Sequence, residues 1–485
     1  MTEVILCYPK TGFDLKNMTI SLPLSLLSVA STLIDDFNVK IIDQRIEKNW
    51  RNKIRKELKK RPLCVGISTM TGSQISYALE IARFIKDYDN DLKIVWGGIH
   101  PTLLPLQTIQ NKFVDVVVVR DGEITFKQIA SAISKNKDFK QVGGIVYKEK
   151  KQIIRTNLAN PTDLNSLPEL PYHLLDIKNY IHDKTMVGEG SRRSLSLESS
   201  RGCLHQCTFC CVPKINRHNW RFLSAEKTVK RVDVLVSQFG LDSIIFHDEN
   251  FFGDKRRAIK IARYIDNRYK WSVQARMDDV NLIDLKEFAN CGLDLMQIGI
   301  ESGCDRILNL IKKGICFKEI IKANKKLSNV DIEARYNFVI GFPTETKQEI
   351  NLSLDLALKL LKENPNARIA GFYAYVPYPG TELFKLSVKN GFIPPKSLEE
   401  WAVFTRQHEN TPWIEDYKDT LRNIILMSRF IDKKRLNSMF GFSLGKIITN
   451  LYGTYCKKRW ENHDFNNKFD LILLRLLSKF MLKGV

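Results

Sequence analysis

The sequence predicts an α/β protein: a doubly wound parallel sheet first, a barrel-like run of strand–helix units next, and a helical segment last. Three observations carry that prediction. Short, almost wholly apolar runs alternate with helical stretches from Val4 to Val119, as strands buried on both faces do. The alternation resumes near Arg192 and continues through six further units to Val376. Beyond about residue 390 the apolar residues recur at helical spacing, and no strand-like run appears.

Composition bounds the possibilities. The chain has 485 residues, 44% hydrophobic and 27% charged, which supplies material for packed cores and lies far from a disordered composition. A formal net charge of +21 admits nucleic acid, anionic cofactors or an anionic membrane surface as partners. No run approaches the roughly 20 apolar residues of a spanning helix. Val4–Tyr8 is too short for a secretory leader. The ten cysteines are mostly isolated in apolar runs, so a reduced, cytoplasmic protein is expected.

In the first unit, Val4–Tyr8, Val39–Asp43, Leu63–Ser68, Ile94–Gly98 and Val114–Val119 read as strands. Leu26, Leu27, Ala30, Leu33 and Ile34 share one helix face, and Ile75, Ala78, Leu79, Ala82 and Ile85 share another. Ligands of such Rossmann-like sheets bind at the carboxyl ends of the strands. Those ends carry Ser68, Thr69 and Thr71, then Gly97, Gly98 and His100, then Asp121-Gly122-Glu123. The paired glycines let a ligand approach the backbone closely. Gly143–Tyr147 reads as a hairpin strand. Residues 151–190, punctuated by Pro161, Pro168 and Pro171, read as a linker.

The second unit, residues 191–385, has strands at Ser194–Ser199, Ser243–His247, Trp271–Arg276, Leu295–Gly303, Ala334–Ile340 and Ile369–Val376. Thr346 and Glu349 form a capping box ahead of the helix that follows the fifth. Six units make a partial (β/α)6 TIM-type barrel, whose functional residues gather at the carboxyl ends of its strands. The loop after the first strand holds Cys203, Cys207 and Cys210 in C-x3-C-x2-C spacing. Three thiolates can hold three irons of a cubane cluster and leave the fourth open to a small molecule. Phe209 stands where an aromatic could pack on a purine. Spacing alone also admits zinc, with Cys211 or His205 as a fourth ligand.

This cysteine motif, on the loop after the first barrel strand, resembles the radical S-adenosylmethionine (radical SAM) superfamily. The strand-end pattern of residues 1–150 resembles the cobalamin-binding domain that precedes many such barrels. The resemblance implies a [4Fe-4S] cluster on Cys203, Cys207 and Cys210, with S-adenosylmethionine on the open iron. It assigns Asp248, Glu249 and Asn250 to the methionine amino group and Arg276 to the carboxylate. It also assigns Glu301 to the ribose, and Gly341, Val376 and Phe209 to the adenine. Ser68, Thr69, Thr71, Gly97, Gly98, His100 and Glu123 are the implied cobalamin contacts. Two departures stand out. Asp43-Gln44-Arg45 lacks the histidine of the Asp-x-His-x-x-Gly cobalamin motif, and the second strand ends in Asp-Glu-Asn-Phe rather than Gly-Gly-Glu. On residues alone, Arg276 and Glu301 also read as structural ion pairs, and His100 as a loop histidine.

The expected activity is methyl transfer to an unreactive carbon or phosphorus centre of a small molecule, with a reductant of flavodoxin or ferredoxin type. Oxidative cyclisation by the same domain pair is the alternative. A nucleic-acid-binding protein with a structural metal is a third reading, without a recognised motif to support it. The last unit, residues 386–485, is basic: from Leu421 onward it has thirteen Lys/Arg against four Asp/Glu. Phe469 to Leu482 forms a broad apolar face interleaved with Arg475 and Lys479. It reads either as a peripheral membrane contact or as a lid on the barrel mouth.

Overall fold

The computed structural model describes residues 2–15, 19–150, 152–182, 193–404, 411–432, 443–465 and 472, with side chains in the 443–465 stretch described from 452. Strands β1 (Val4–Tyr8), β2 (Val39–Asp43), β3 (Cys64–Ser68), β4 (Lys93–Gly97) and β5 (Val116–Val118) are parallel. Two antiparallel strands, β6 (Ile145–Glu149) and β7 (Gln152–Arg155), extend the edge, giving the order β2-β1-β3-β4-β5-β6-β7. The sheet therefore runs past residue 150, into what the sequence suggested was linker. The order reverses direction between β1 and β3, which opens a crevice at the carboxyl ends there.

The second sheet contains β8 (Ser194–Leu197), β11 (Ser243–Phe246), β12 (Lys270–Arg276), β13 (Leu293–Glu301), β14 (Glu333–Ile340) and β15 (Ala367–Ala374), all parallel and in sequential order. A short antiparallel pair, β9 (Ser200–Arg201) and β10 (Arg221–Phe222), brackets the cysteine loop. Sequential parallel strands with crossover helices are the open form of a β/α barrel. The expected strands are all present, within about two residues at their ends.

The two sheets share one core. Leu6, Leu27 and Phe126 on one face of the first sheet are continuous with Leu195, Val232 and Ile298 of the barrel, and Ile177, Tyr180 and Ile181 of the linker fill the seam. The opposite face of the first sheet, with Ile67, Ile75 and Trp96, is closed by Phe392, Leu398, Trp401 and Phe404. The C-terminal segment therefore divides its work. Residues 392–404 seal the first sheet, whereas the helix Lys418–Met427 lies on the barrel edge. There the exposed edge of β15 is covered: Phe372 N donates to Ser428 Oγ at 3.3 Å and Ile369 N to Asp432 Oδ2 at 3.3 Å. The helix Ser443–Glu461 delivers Trp460, whose Nε1 donates to the Leu354 carbonyl at 3.1 Å. The amphipathic stretch read at 469–482 lies outside the described residues apart from Ile472. Among the described residues no helix is long and apolar enough to cross a membrane.

Candidate active site

The cysteine loop is held from beneath by a carboxylate. Asp248, at the end of β11, is fully buried and accepts from Ser199 N at 2.7 Å, Ser199 Oγ at 2.6 Å and Ser200 Oγ at 2.6 Å. Arg257, also buried, donates to the Ser199 carbonyl at 2.9 Å and its hydroxyl at 2.7 Å. Burial raises the Asp248 carboxyl, and the Arg257 charge and the serine donors oppose it. A carboxylate this deep needs partners, and the loop supplies them from the chain itself. Beyond it the chain turns at Gly202, φ +93°, where a Cβ would overlap the Asn219 carbonyl oxygen. The far side is anchored by Thr208, whose N donates to the Ile311 carbonyl at 3.0 Å.

Cys203, Cys207 and Cys210 are half-buried on this loop, and all ten cysteines are free thiols. Burial pushes Cys210 up to about 12 and raises Cys203 as well. Arg276, at the end of β12, brings Nη1 to 3.4 Å from Cys207 Sγ. The rest of its guanidinium is taken by Asp278, at 2.9 and 3.2 Å, and by the Lys313 carbonyl. Arg276 thus faces Cys207, while Asp278 two residues on takes its other nitrogens. The donor set fits an iron–sulfur cluster: three thiols close enough for their charges to interact, with a guanidinium beside one. Phe209 packs against Phe342, ring centroids 6.1 Å apart.

Glu249 and His247 follow β11 and are exposed. Both keep solvent-accessible surface, yet surrounding protein shifts both: burial lowers His247 to about 4, and burial with the Glu198 charge raises Glu249 to about 7. Side chains that are accessible but crowded line a concave site. Glu249 also accepts from Gly202 N at 2.5 Å, next to the first cysteine. Asn250 is buried, and its carbonyl accepts from Trp220 Nε1 at 2.9 Å. Glu301 ends β13 in a left-handed conformation, φ +67°, beside a register shift, and pairs with buried Lys313 at 2.7 Å. Gly341 donates to Glu345 Oε2 at 2.6 Å and accepts from Trp413 Nε1 at 3.0 Å. Val376 packs toward the first sheet.

At the carboxyl end of the first sheet, Ser68, Thr69, Thr71, Gly97, Gly98 and His100 come together. Gly98, φ +98°, has no room for a Cβ, which would lie 2.6 Å from the Thr69 carbonyl oxygen. Ser68 Oγ is 3.4 Å from Ser25 Oγ. His100 is fully buried, its Nδ1 3.0 Å from Thr71 Oγ1 and its ring edge-on to Trp401 at 5.8 Å. Burial lowers it to about 4, so the imidazole is neutral. Thr69 Oγ1 and His100 Nε2 are buried without hydrogen-bond partners. Orphaned groups beside a glycine cradle fit a ligand that supplies the missing bonds. Where a coordinating histidine would stand, Arg45 is locked to Asp43 at 2.6 and 2.9 Å, with its guanidinium 4.2 Å from the centre of the Tyr8 ring.

Glu123 is buried; its Oε1 accepts from Arg201 Nη1 at 2.6 Å and Ser28 Oγ at 2.6 Å, and its Oε2 has no hydrogen-bond partner. Burial opposes its ionisation, but the Arg201 charge outweighs that and holds the carboxyl below its usual range. Arg201 stands two residues before Cys203 and also binds Glu198 at 2.7 Å. Asp121 makes a second bridge, to Arg221 at 2.5 Å. The end of the first sheet is thereby fastened to the cysteine loop. Sequence reasoning missed Arg201, Arg257, Lys313 and His247. Only His247, at a strand's carboxyl end, carried a readable signal.

Known proteins carry the same pair of units. The radical SAM superfamily matches residues 197–357 and the B12 binding domain residues 19–130. An uncharacterized methyltransferase of Pyrococcus horikoshii is 31% identical over 400 residues, covering 81% of this chain and 84% of that protein. The anaerobic magnesium-protoporphyrin IX monomethyl ester cyclase of Cereibacter sphaeroides is 26% identical over 309 residues, 61% of this chain and 48% of its own length, so the chain spans about half of that enzyme. Among solved structures, the cobalamin-dependent S-adenosylmethionine radical enzyme OxsB, with aqua-cobalamin and S-adenosylmethionine bound, superposes with a TM-score of 0.72 at 20% identity. The superposition covers 99% of this chain and 75% of that one and establishes the shared fold. With a [4Fe-4S] cluster and S-adenosylmethionine as its cofactors and a B12-binding domain before its barrel, this chain belongs to the cobalamin-binding branch of the radical SAM superfamily.

Proposed function

We propose that the chain methylates an unactivated carbon or phosphorus centre of a small molecule in a cobalamin-dependent radical reaction. One observation supports this most: the carboxyl end of the B12-binding sheet is bonded to the cysteine loop through Glu123–Arg201 and to the strand after it through Asp121–Arg221, which would hold the two cofactors near each other. When bound, the cluster supplies the electron that splits S-adenosylmethionine, and cobalamin supplies the methyl group. The chain's own residues then bind and orient. Cys203, Cys207 and Cys210 would hold the cluster, Arg276 would steady Cys207, and Glu249, exposed and already accepting from Gly202 N, would meet an ammonium group. Phe209 and Gly341 would flank the adenine, Glu301 the ribose, and Ser68, Thr69 and Gly98 the cobalamin. The match to the P. horikoshii methyltransferase over most of both chains favours methyl transfer; the cyclase relative favours oxidative cyclisation as the second reading.

The electron donor in this reading is a flavodoxin or ferredoxin, and the compartment is the reducing cytoplasm that ten free cysteines suit. Peripheral membrane contact through 469–482 rests on sequence alone. The test is anaerobic turnover of the reconstituted chain with methyl-labelled S-adenosylmethionine and a metabolite extract. 5′-Deoxyadenosine together with a labelled small molecule supports methylation. 5′-Deoxyadenosine without label transfer overturns it in favour of cyclisation.

A further inference from the structure

Between the end of β5 and the chain following the cysteine loop lies a small cleft, half open to solvent. Its walls include Arg120, Asp121, Asn160, Asn216, Arg217 and Arg221, three arginines against a single carboxylate. That carboxylate is already spent: Asp121 accepts from Arg221 at 2.5 and 3.2 Å and from Thr162 N at 3.0 Å. Arg221 in turn donates to the Thr162 carbonyl at 2.8 Å and to Asn216 Oδ1 at 3.0 Å.

Arg120 is different. Its backbone N donates to Thr102 Oγ1 at 2.9 Å, but its side-chain Nε and Nη1 are buried with no hydrogen-bond partner. Burial and the nearby Arg217 and Arg155 charges all act against the Arg120 cation, with Asp121 the counter-charge. Both Arg120 (φ +78°) and Arg217 (φ +55°) hold left-handed backbone that residues with a Cβ seldom adopt. Buried N–H groups without an acceptor are costly, and an anion at the cleft would supply one to Arg120 Nε and Nη1. Planar, forked donors are the ones that match carboxylate and phosphate oxygens.

We propose that this cleft is an oxyanion site for a phosphate group, with Arg120 as the inner donor and Arg217 as the donor on the rim. The phosphate has two possible carriers: the substrate, or the nucleotide tail of cobalamin. The site does not depend on the methyl-transfer reading, because binding is measured without turnover.

The test titrates inorganic phosphate into the full chain at low ionic strength, followed by ³¹P NMR, for wild type, Arg120→Gln, Arg217→Gln and the surface control Arg263→Gln. Saturable binding that weakens about tenfold in each of the first two, and is unchanged in Arg263→Gln, is expected. Arg217 is exposed, so its variant reports even where Arg120→Gln disturbs folding. Absence of saturable binding, or equal loss in all three variants, overturns the site. Retention of cobalamin and of cobinamide, which lacks the phosphate, then separates the carriers. An Arg120→Gln chain that loses cobalamin but keeps cobinamide assigns the tail. One that keeps both while losing phosphate assigns the substrate.

Discussion

The carboxyl ends of the two sheets are built in opposite ways. At the barrel end Asp248, Arg276 and Glu301 each hold partners from the same chain, so the cysteine loop is positioned before any cofactor arrives. At the first sheet's end Thr69 Oγ1, His100 Nε2 and Arg120 Nε are buried with none, while the unpaired atoms at the barrel end, Arg257 Nη1 and Glu345 Oε1, belong to side chains whose other polar atoms are bonded. Buried polar atoms are otherwise almost always paired. The first arrangement fixes geometry in advance, and the second leaves bonds for a ligand to complete. The contrast teaches where to cut: variants at the barrel end should damage the apo chain, and variants at the sheet end should damage only ligand binding.

The largest effect is expected at the cysteines. Cys207→Ala should abolish S-adenosylmethionine cleavage and leave reconstituted iron well short of the roughly four atoms of a cubane, by iron analysis and product chromatography. Next come the two ends compared directly. Asp248→Ala strands two serine hydroxyls and Arg257 in the interior and should cost about 3 kcal/mol in denaturant unfolding. Thr69→Val removes a hydroxyl that has no partner, so the apo chain should lose nothing while cobalamin retention falls. Equal destabilisation by both would erase the distinction.

The barrel end also predicts opposite pH dependences from two glutamates four residues apart. Arg306 holds Glu349 down at about 2 from its ordinary 4.5. Its contribution, screened by solvent around the half-exposed Arg306, is present above pH 4.5 and lost as pH falls toward 2. Burial raises Glu345 to about 8, only partly opposed by the Phe342 and Gly341 N–H groups. Its folded state therefore favours the proton, and stability falls as pH rises from about 4.5 through 8. Glu349→Gln should flatten the acid limb of the unfolding profile and Glu345→Gln the alkaline limb. The smallest effect is Trp413→Phe, which removes the bond to the Gly341 carbonyl and should cost about 1 kcal/mol, read as a shift in melting temperature.

What the sequence disclosed follows from periodicity. Apolar runs such as Ile94–Trp96 and Leu295–Ile300 mark strands because both faces are buried, and the C-x3-C-x2-C spacing marks the loop because thiolate ligands must share one turn of chain. Partner choice was not legible. Asp248 and Glu249 are neighbours in sequence, yet one points into the serines and the other is exposed, a difference set by strand pleat and by Arg257 nine residues on. Glu123 looked like a ligand contact because it ends a strand. Its partner Arg201 lies 78 residues away, and no local pattern announces a pair at that separation. His100 was placed at the correct strand end, but its cover, Trp401, comes from the C-terminal segment.

The central claim is that the bonds between the two sheet ends hold a cluster on the cysteines and a cobalamin on the first sheet near each other. Electron paramagnetic resonance of the chain reconstituted with both cofactors and reduced so that both carry an unpaired spin tests this most directly. The account predicts mutual broadening or splitting of the cluster and cobalt signals, absent when either cofactor is left out. Two undisturbed spectra that simply add, with both cofactors retained, would contradict it.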